Sequence, residues 1–180
     1  MVKDGCWPHD KILHGWWVEP GRLLAGEYPG ARTPKKSAKK LRLLVDAGVD
    51  SIVDLTTPAD GLAFVSGGTG GRGRASRREV QQYPHPIPDM GVIDDDGYDA
   101  ILSRIRDEID SGKVVYVHCW GGKGRTTTVV GCLLIDAGLD YDAAIARIAE
   151  LRAATRKAIE ACPESPSQHR LLRERAARRR

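Results

Sequence analysis

The sequence lacks several features that would assign it to other classes of protein. No uninterrupted apolar run approaches the ~20 residues that cross a bilayer. The opening residues, MVKDGCWPHDK, contain no apolar segment of the kind found in a secretion signal. The chain also shows no internal repeat. These absences predict a soluble, cytoplasmic protein whose 180 residues form a single domain.

Cysteine is scarce, and its spacing does not indicate a metal site. Only four cysteines are present, with no CxxC pair and no Cys/His cluster at the spacing of zinc ligands. We therefore expect no metal and no cofactor. Cys132 lies in the apolar run VVGCLLI, which is typical of a small core residue, while Cys6 and Cys162 have no chemical partner nearby in sequence. Only Cys119 has neighbours that suggest chemistry.

Positive charge is unevenly distributed along the chain. Residues 169–180 hold six arginines and one glutamate, a net charge of +5, so the other 168 residues sum to −1. A basic tail of this kind is usually solvated, and it predicts no specific binding of nucleic acid. A second basic segment, SGGTGGRGRASRR at 66–78, combines five glycines with four arginines and predicts a mobile loop.

Strand-like and helix-like segments alternate along the chain. Strands are predicted at GRLLAGEYPG, DSIVDLT, YPHPI and KVVYVHC. Helices are predicted at TPKKSAKKLRLLVDAG, YDAILSRIRDEIDSG and RTTTVVGCLLIDAG, and near residues 141–153 and 167–177. No element is predicted in the opening before GRLLAGEYPG. This order predicts an α/β domain with a mostly parallel central sheet flanked by helices, its core spanning about residues 20–170.

The segment VHCWGGKGRTTT, residues 117–128, indicates an anion site. A glycine-rich turn from the carboxyl end of a buried strand into a helix aims backbone N–H groups at one point, where the helix dipole adds positive charge. Arg125 offers a planar fork that can bind two phosphate oxygens. We call residues 119–125 the cysteine–arginine turn. It predicts a phosphate site lined by the backbone of Trp120, Gly121, Gly122, Lys123 and Gly124 together with the Arg125 side chain.

The same positive field acts on Cys119. It favours the thiolate, which is the nucleophilic form of the side chain. A thiolate held beneath a bound phosphate can attack phosphorus, while Arg125 holds the equatorial oxygens as charge redistributes in the transition state. His118 is not expected to act as the base for Cys119, because neighbours on a strand point to opposite faces.

The order His118-Cys119, five residues, Arg125-Thr126 resembles the signature of the cysteine-dependent protein tyrosine phosphatases, particularly the compact dual-specificity branch of bacterial type. Further segments look like successive landmarks of that branch across most of residues 22–170, namely LLAGEYPG, VDLT, HPIPDMGV, VVYVHCWGGKGRT and CPESPSQHR. The resemblance implies a dual-specificity phosphatase-like fold and a phosphoenzyme intermediate on Cys119.

The resemblance also implies roles for other residues. A general acid is expected on a separate loop, and Asp89 in PIPDMG occupies the matching place. The aspartates at 94–96 are rivals by residue type, although they precede a helix as capping residues would. By the same resemblance, His118 orders the turn from behind, and the Thr126 hydroxyl stabilises the thiolate when phosphate leaves.

Two polar residues leave alternatives open. Lys123 lies where many relatives have an apolar residue and resembles the phosphoinositide-phosphatase branch, but Trp120 fills the place of that branch's second lysine. A solvent-facing lysine is the other interpretation. Gln168 could orient the hydrolytic water or lie on a helix surface.

The leading functional hypothesis is hydrolysis of phosphotyrosine in proteins, with phosphoserine and phosphothreonine as further substrates. The partner would then be a phosphorylated protein or peptide. The alternative substrate is an anionic phospholipid, an inositol phosphate or another polyanionic small molecule. A third hypothesis is a phosphate-binding module without catalysis, which the presence of Cys119, Arg125 and Asp89 disfavours.

Overall fold

The computed structural model describes residues 6–62 and 79–179, and its centre is a five-stranded sheet. The strands are β1 (Gly15–Glu19), β2 (Leu23–Gly26), β3 (Val49–Asp54), β4 (Gln81–Pro84) and β5 (Val114–His118). They lie in the order β1-β2-β5-β3-β4, in which β1 is antiparallel to β2 and the other pairings are parallel. The prediction of an α/β domain with a mostly parallel sheet is confirmed. The glycine- and arginine-rich segment 66–78 lies outside the described residues.

All of the predicted helices are present. They are α1 (Pro34–Asp46), α2 (Asp95–Asp110), α3 (Gly124–Asp136), α4 (Tyr141–Arg152) and α5 (Pro166–Arg178), with a short 3-10 helix at Pro58–Asp60. Polar side chains cap several of them: Thr33 accepts a bond from the Lys36 N–H, and Asp140 accepts one from the Ala143 N–H. No helix in the described part of the chain is both long enough and apolar enough to span a bilayer.

Two strands differ from the prediction. β1 lies in the opening, where the sequence predicts no element, and it pairs with β2 so that Gly15 lies opposite Gly26. β4 begins two residues before the predicted YPHPI strand and ends at Pro84. Beyond that point pairing continues only as single bonds, from the His85 N–H to the Asp54 carbonyl and from the Ile87 N–H to the Leu55 carbonyl. The intervening Pro86 has no N–H to donate.

Apolar side chains on both faces of the sheet explain why β5 is so rich in β-branched residues. Tyr116 packs with Leu44 of α1 on one face, and Val115 and Val117 pack against α2 and α3 on the other. Cys132 lies in this second cluster and is fully buried, as its apolar run predicts. The sheet is therefore covered on both sides, and its exposed features are the loops at the strand ends.

The prediction of a solvated basic tail is wrong for part of residues 169–180. Helix α5 packs along α3, and Arg175 within it is fully buried. The Arg175 guanidinium bonds three carboxylates, at 2.8–2.9 Å to Asp136, 2.7 Å to Asp95 and 2.6 Å to Asp99. A buried cation is tolerated only when such partners compensate the lost hydration. Part of the charge of the tail is therefore neutralised inside the fold.

Candidate active site

The cysteine–arginine turn lies at the carboxyl edge of the sheet, in its centre. Cys119 directly follows β5, whose neighbours are β2 and β3, and helix α3 begins at Gly124. Cys119 is only 3% exposed, at the start of the turn. Loops that follow parallel strands converge at this edge, which is where open α/β sheets bind ligands.

Close packing against β2 fixes the shape of the turn. Gly122 has a φ of 72°, and a Cβ atom there would lie 2.6 Å from the carbonyl carbon of Gly26. No other residue fits this conformation and this space. The glycine of the sequence motif is therefore required by the approach of two backbone segments.

His118 contacts the backbone of Cys119. Its Nδ1 lies 3.0 Å from the Cys119 carbonyl oxygen, and its ring stacks on Tyr116 with centroids 5.7 Å apart. Burial lowers the pKa of His118 below its usual value, although Asp54, whose carboxylate lies 3.8 Å from Nε2, acts in the opposite direction. A neutral ring can donate from Nδ1 to the carbonyl.

Arg125 is held almost completely inside the protein, with 1% of its side chain exposed. Nη1 donates to Asp60 Oδ2 at 2.9 Å and to the Ile87 carbonyl at 3.1 Å, and Nη2 donates to Asp60 Oδ1 at 2.8 Å. These bonds occupy both protons of Nη1 and one proton of Nη2. Nε is buried and has no partner among the described residues. Nε and the second Nη2 proton lie on one edge of the guanidinium and form a fork suited to two phosphate oxygens.

Asp60 is a site residue that sequence reasoning missed. Its carboxylate is 2% exposed, accepts a bond from the Thr57 N–H at 2.6 Å and forms the two bonds with Arg125. The bonds from Arg125 lower the pKa of Asp60 to about 2, so this carboxyl stays ionised at neutral pH. The spacing of Thr57 and Asp60 is that of a capping box, which could have indicated a short helix but not the distant arginine.

Asp89 lies next to Arg125 on the loop formed by residues 86–91, which we call the aspartate loop. Its Oδ1 is 3.3 Å from Arg125 Nη2, and 56% of its side chain is exposed. The loop reverses direction through Met90, whose φ is 59°, with a bond from the Gly91 N–H to the Pro88 carbonyl. The structure thus brings together Asp89 and Arg125, two residues that the sequence assigns to one site.

Two of the three rival aspartates are engaged elsewhere. Asp94 caps α2 by accepting a bond from the Gly97 N–H at 2.8 Å. Asp95 lies in the first turn of α2 and pairs with Arg175 and Arg178. The interpretation of these aspartates as helix-terminus residues is consistent with this geometry.

Two polar side chains are buried close to the turn. Thr126 is fully buried, and its hydroxyl has no hydrogen-bond partner within the described ranges. Gln168 is also fully buried, so the helix-surface interpretation is wrong. Its carbonyl accepts bonds from the Glu164 and Ser165 N–H groups, and its amide lies 3.5 Å from the Gly91 carbonyl. Gln168 thereby connects the start of α5 with the aspartate loop.

Lys123 is partly exposed, with 25% of its side chain open to solvent, and it is paired with carboxylates. Its ammonium pairs with Glu160 and lies 3.7 Å from Glu164, both in the connection between α4 and α5. The bond to Glu160 raises the pKa of Lys123. Trp120 remains 56% exposed at the rim of the turn. The lysine that favours a polyanionic substrate is therefore already paired with carboxylates.

Known structures share this architecture. Over 96% of the chain, the fold matches the active form of Tk-PTP (TM-score 0.68, 23% identity, 99% of that chain covered). It also matches PTPMT1 in complex with PI(5)P over 88% of the chain (TM-score 0.62, 21% identity, 92% of that chain covered). TpbA of P. aeruginosa in complex with pTyr matches over 98% of both chains (TM-score 0.58, 16% identity). At these identities the matches establish the fold.

Comparisons of the amino-acid sequence identify the family to which the chain belongs. Cyclin-dependent kinase inhibitor 3 of Rattus norvegicus is 32% identical over 56 residues, which are 31% of this chain and 26% of that protein. The family model of the Swiss Army Knife protein DSP-PTPase phosphatase domain, PTP-SAK, matches residues 14–176 and thus spans both the sheet and the site. The chain therefore belongs to the PTP-SAK family of dual-specificity-type phosphatase domains.

Proposed function

We propose that the protein hydrolyses phosphotyrosine in proteins or peptides, with phosphoserine and phosphothreonine as further substrates, through a phosphoenzyme on Cys119. The observation that carries the proposal is the arrangement of Arg125. Both protons of Nη1 are bonded to other groups of the protein. The edge formed by Nε and the second Nη2 proton lies beside Asp89 and is available to a ligand. A fork of this kind fits two oxygens of one phosphate group.

In the first step, the Cys119 thiolate attacks phosphorus, and the bond between phosphorus and the ester oxygen breaks as the S–P bond forms. Arg125 and the backbone N–H groups of the turn hold the non-bridging oxygens. Asp89, on the exposed side of Arg125, donates its proton to the leaving oxygen. Asp60 is not placed for this role, because Arg125 bonds both of its carboxylate oxygens and its side chain is only 2% exposed.

In the second step, water attacks the phosphorus of the cysteinyl phosphate. The Asp89 carboxylate accepts a proton from this water, the S–P bond breaks, and inorganic phosphate leaves. The buried Thr126 hydroxyl, which has no partner among the described residues, supplies a hydrogen bond to the departing thiolate. His118 acts from behind the turn by bonding the Cys119 carbonyl.

The pairing of Lys123 favours a phosphopeptide over a polyanionic substrate. Two carboxylates, Glu160 and Glu164, already compensate the lysine, and both add negative charge beside the cysteine–arginine turn. A second phosphate on the substrate would have to compete with them. PTPMT1, whose structure holds PI(5)P, shows that this fold can accept a phosphoinositide, so the alternative remains the second candidate.

The discriminating experiment compares one preparation on a phosphotyrosine peptide, a phosphoserine or phosphothreonine peptide and PI(5)P. We expect the highest kcat/KM on the phosphotyrosine peptide. The double variant Glu160→Gln/Glu164→Gln releases Lys123 and should raise kcat/KM on PI(5)P by roughly two- to fivefold, the value of a partly exposed ion pair.

The double variant Glu150→Gln/Glu174→Gln is the matched control, because it also removes two exposed carboxylates, neither of which contacts Lys123 within the described ranges. Higher kcat/KM on PI(5)P than on the peptide in the wild type would contradict the preferred substrate class. An equal gain in the control would show a general charge effect.

Arg125→Lys should be severely impaired although the charge is retained. An ammonium is a point charge and cannot form the two-pronged contact with the transferring phosphoryl group. Loss of one such transition-state contact costs roughly 10²–10³-fold in kcat. Steady-state kinetics on a phosphotyrosine peptide provide the measurement, and a variant as fast as the wild type would exclude this role of the arginine.

A further inference from the structure

The carbonyl groups of the cysteine–arginine turn have donors that lie behind the turn. The Trp120 carbonyl accepts a bond from the Tyr28 N–H at 2.9 Å, and the Gly121 carbonyl accepts one from Lys157 Nζ at 2.9 Å. In a planar trans peptide, the C=O of one residue and the N–H of the next point in opposite directions. Each anchored carbonyl therefore directs the N–H of the following residue away from the donor that holds the carbonyl.

We propose that Lys157 is a positioning residue of the phosphate site, which it orients by holding the Gly121 carbonyl. The inference rests on the proposed function, because it takes the Gly122 N–H to be one of the groups that bind the phosphate oxygens. Lys157 lies 36 residues from Gly121 in sequence, in the segment that connects α4 with α5. It contributes a charged donor, whereas the donor to Trp120 is a neutral backbone group.

Glu27 holds the ammonium in this place. Its Oε2 lies 3.1 Å from Lys157 Nζ, and the Lys157 side chain is 15% exposed. Burial by itself would raise the pKa of Glu27, but the bond from the His14 N–H and the charge of Lys157 outweigh it and lower the pKa. Glu27 directly follows Gly26, against which Gly122 packs, so the carboxylate that orients Lys157 belongs to the surface supporting the turn.

A purely structural role for Lys157 would be to fasten the α4–α5 connection. Its neighbour Arg156 has that kind of role: its Nη2 lies 2.9 Å from Glu27 Oε1, and its backbone N–H and Nε bond Asp10. Within the described ranges, no bond joins Arg156 to the cysteine–arginine turn. Arg156 thus shares the segment, the charge and the Glu27 carboxylate with Lys157, but not the contact with Gly121.

The test compares Lys157→Met with Arg156→Met in the full chain. Orthovanadate inhibition constants and kcat/KM on a phosphotyrosine peptide are measured alongside urea unfolding, under conditions in which each variant is fully folded. Lys157→Met should weaken vanadate inhibition by roughly 10-fold or more, the value of a hydrogen bond from a charged donor, with a parallel fall in kcat/KM. Arg156→Met should keep vanadate inhibition and kcat/KM within about twofold of the wild type, because Arg156 does not contact the turn. Its free energy of unfolding can fall without changing either measure.

Lys157→Arg, which keeps a charged donor, should recover most of the vanadate affinity. If Lys157→Met does not fold, Lys157→Gln takes its place, because the shorter neutral side chain falls short of the Gly121 carbonyl. Equal vanadate affinity in the Lys157 and Arg156 variants, with an active wild type, overturns the positioning role alone. A wild type that neither binds vanadate nor hydrolyses the peptide overturns the proposed function, and the positioning role with it.

Discussion

Cys119→Ser is expected to abolish turnover while the folded protein still binds phosphate. A serine hydroxyl is not ionised at neutral pH, so the covalent route through a phosphoenzyme is lost. Removal of a nucleophile typically reduces the rate by on the order of 10⁴- to 10⁶-fold. The substitution leaves the Arg125 fork and its support from Asp60 unchanged. Binding of inorganic phosphate, measured by calorimetry, should therefore stay within about threefold of the wild type, a difference of less than about 1 kcal/mol.

The exposed Cys6 provides the matched control for loss of a thiol. Cys6→Ser should keep wild-type turnover on the same phosphotyrosine peptide. Residual turnover near the wild-type level in Cys119→Ser would end the assignment of the nucleophile. Loss of phosphate binding in a folded Cys119→Ser variant would show instead that the thiolate is needed to shape the anion site.

Asp89→Asn is expected to lose activity in proportion to how poor the leaving group is. General-acid catalysis contributes roughly 10²–10⁴ in rate, so the amide should lose about 3–5 kcal/mol of transition-state stabilisation on a tyrosine ester. An activated aryl phosphate needs little protonation of its leaving oxygen. Asp89→Asn should therefore lose much less activity on that substrate than on a tyrosine ester. The measurement is the ratio of kcat/KM for the two substrates in the wild type and in the variant.

The helix-terminus aspartates supply the control for this experiment. Asp94→Asn, Asp95→Asn and Asp96→Asn should keep the wild-type ratio between the two substrates, because Asp94 caps α2, Asp95 pairs with arginines of α5, and Asp96 lies in the first turn of α2. If one of these three variants shows the leaving-group-dependent loss and Asp89→Asn does not, the acid lies further along the chain. The 3.3 Å approach of Asp89 to Arg125 would then have no catalytic meaning.

Interactions between sequence neighbours explain why much of the fold could be predicted. Helix α1 begins after its Thr33 cap and ends just before Gly48, which adopts a φ of 86°. The apolar run of β5 specifies a strand buried on both faces. β1 was missed because a five-residue edge strand with two tryptophans carries little periodicity, and its pairing with β2 depends on a tight connection.

The sequence by itself determined the order of the elements from β2 onward and the Cys119-to-Arg125 spacing at the junction of β5 and α3, since both depend on residues close together in the chain. Only the tertiary structure decided which side chains support that turn. Asp60 reaches Arg125 across 65 positions, and Lys157 reaches Gly121 across 36. The first pair forms because the parallel strands β3 and β5 bring the loops that follow them to one edge of the sheet. The second forms because the connection between α4 and α5 packs against the turn. Ionic side chains of this kind carry no local pattern, so their partners become visible only once the strand order is known.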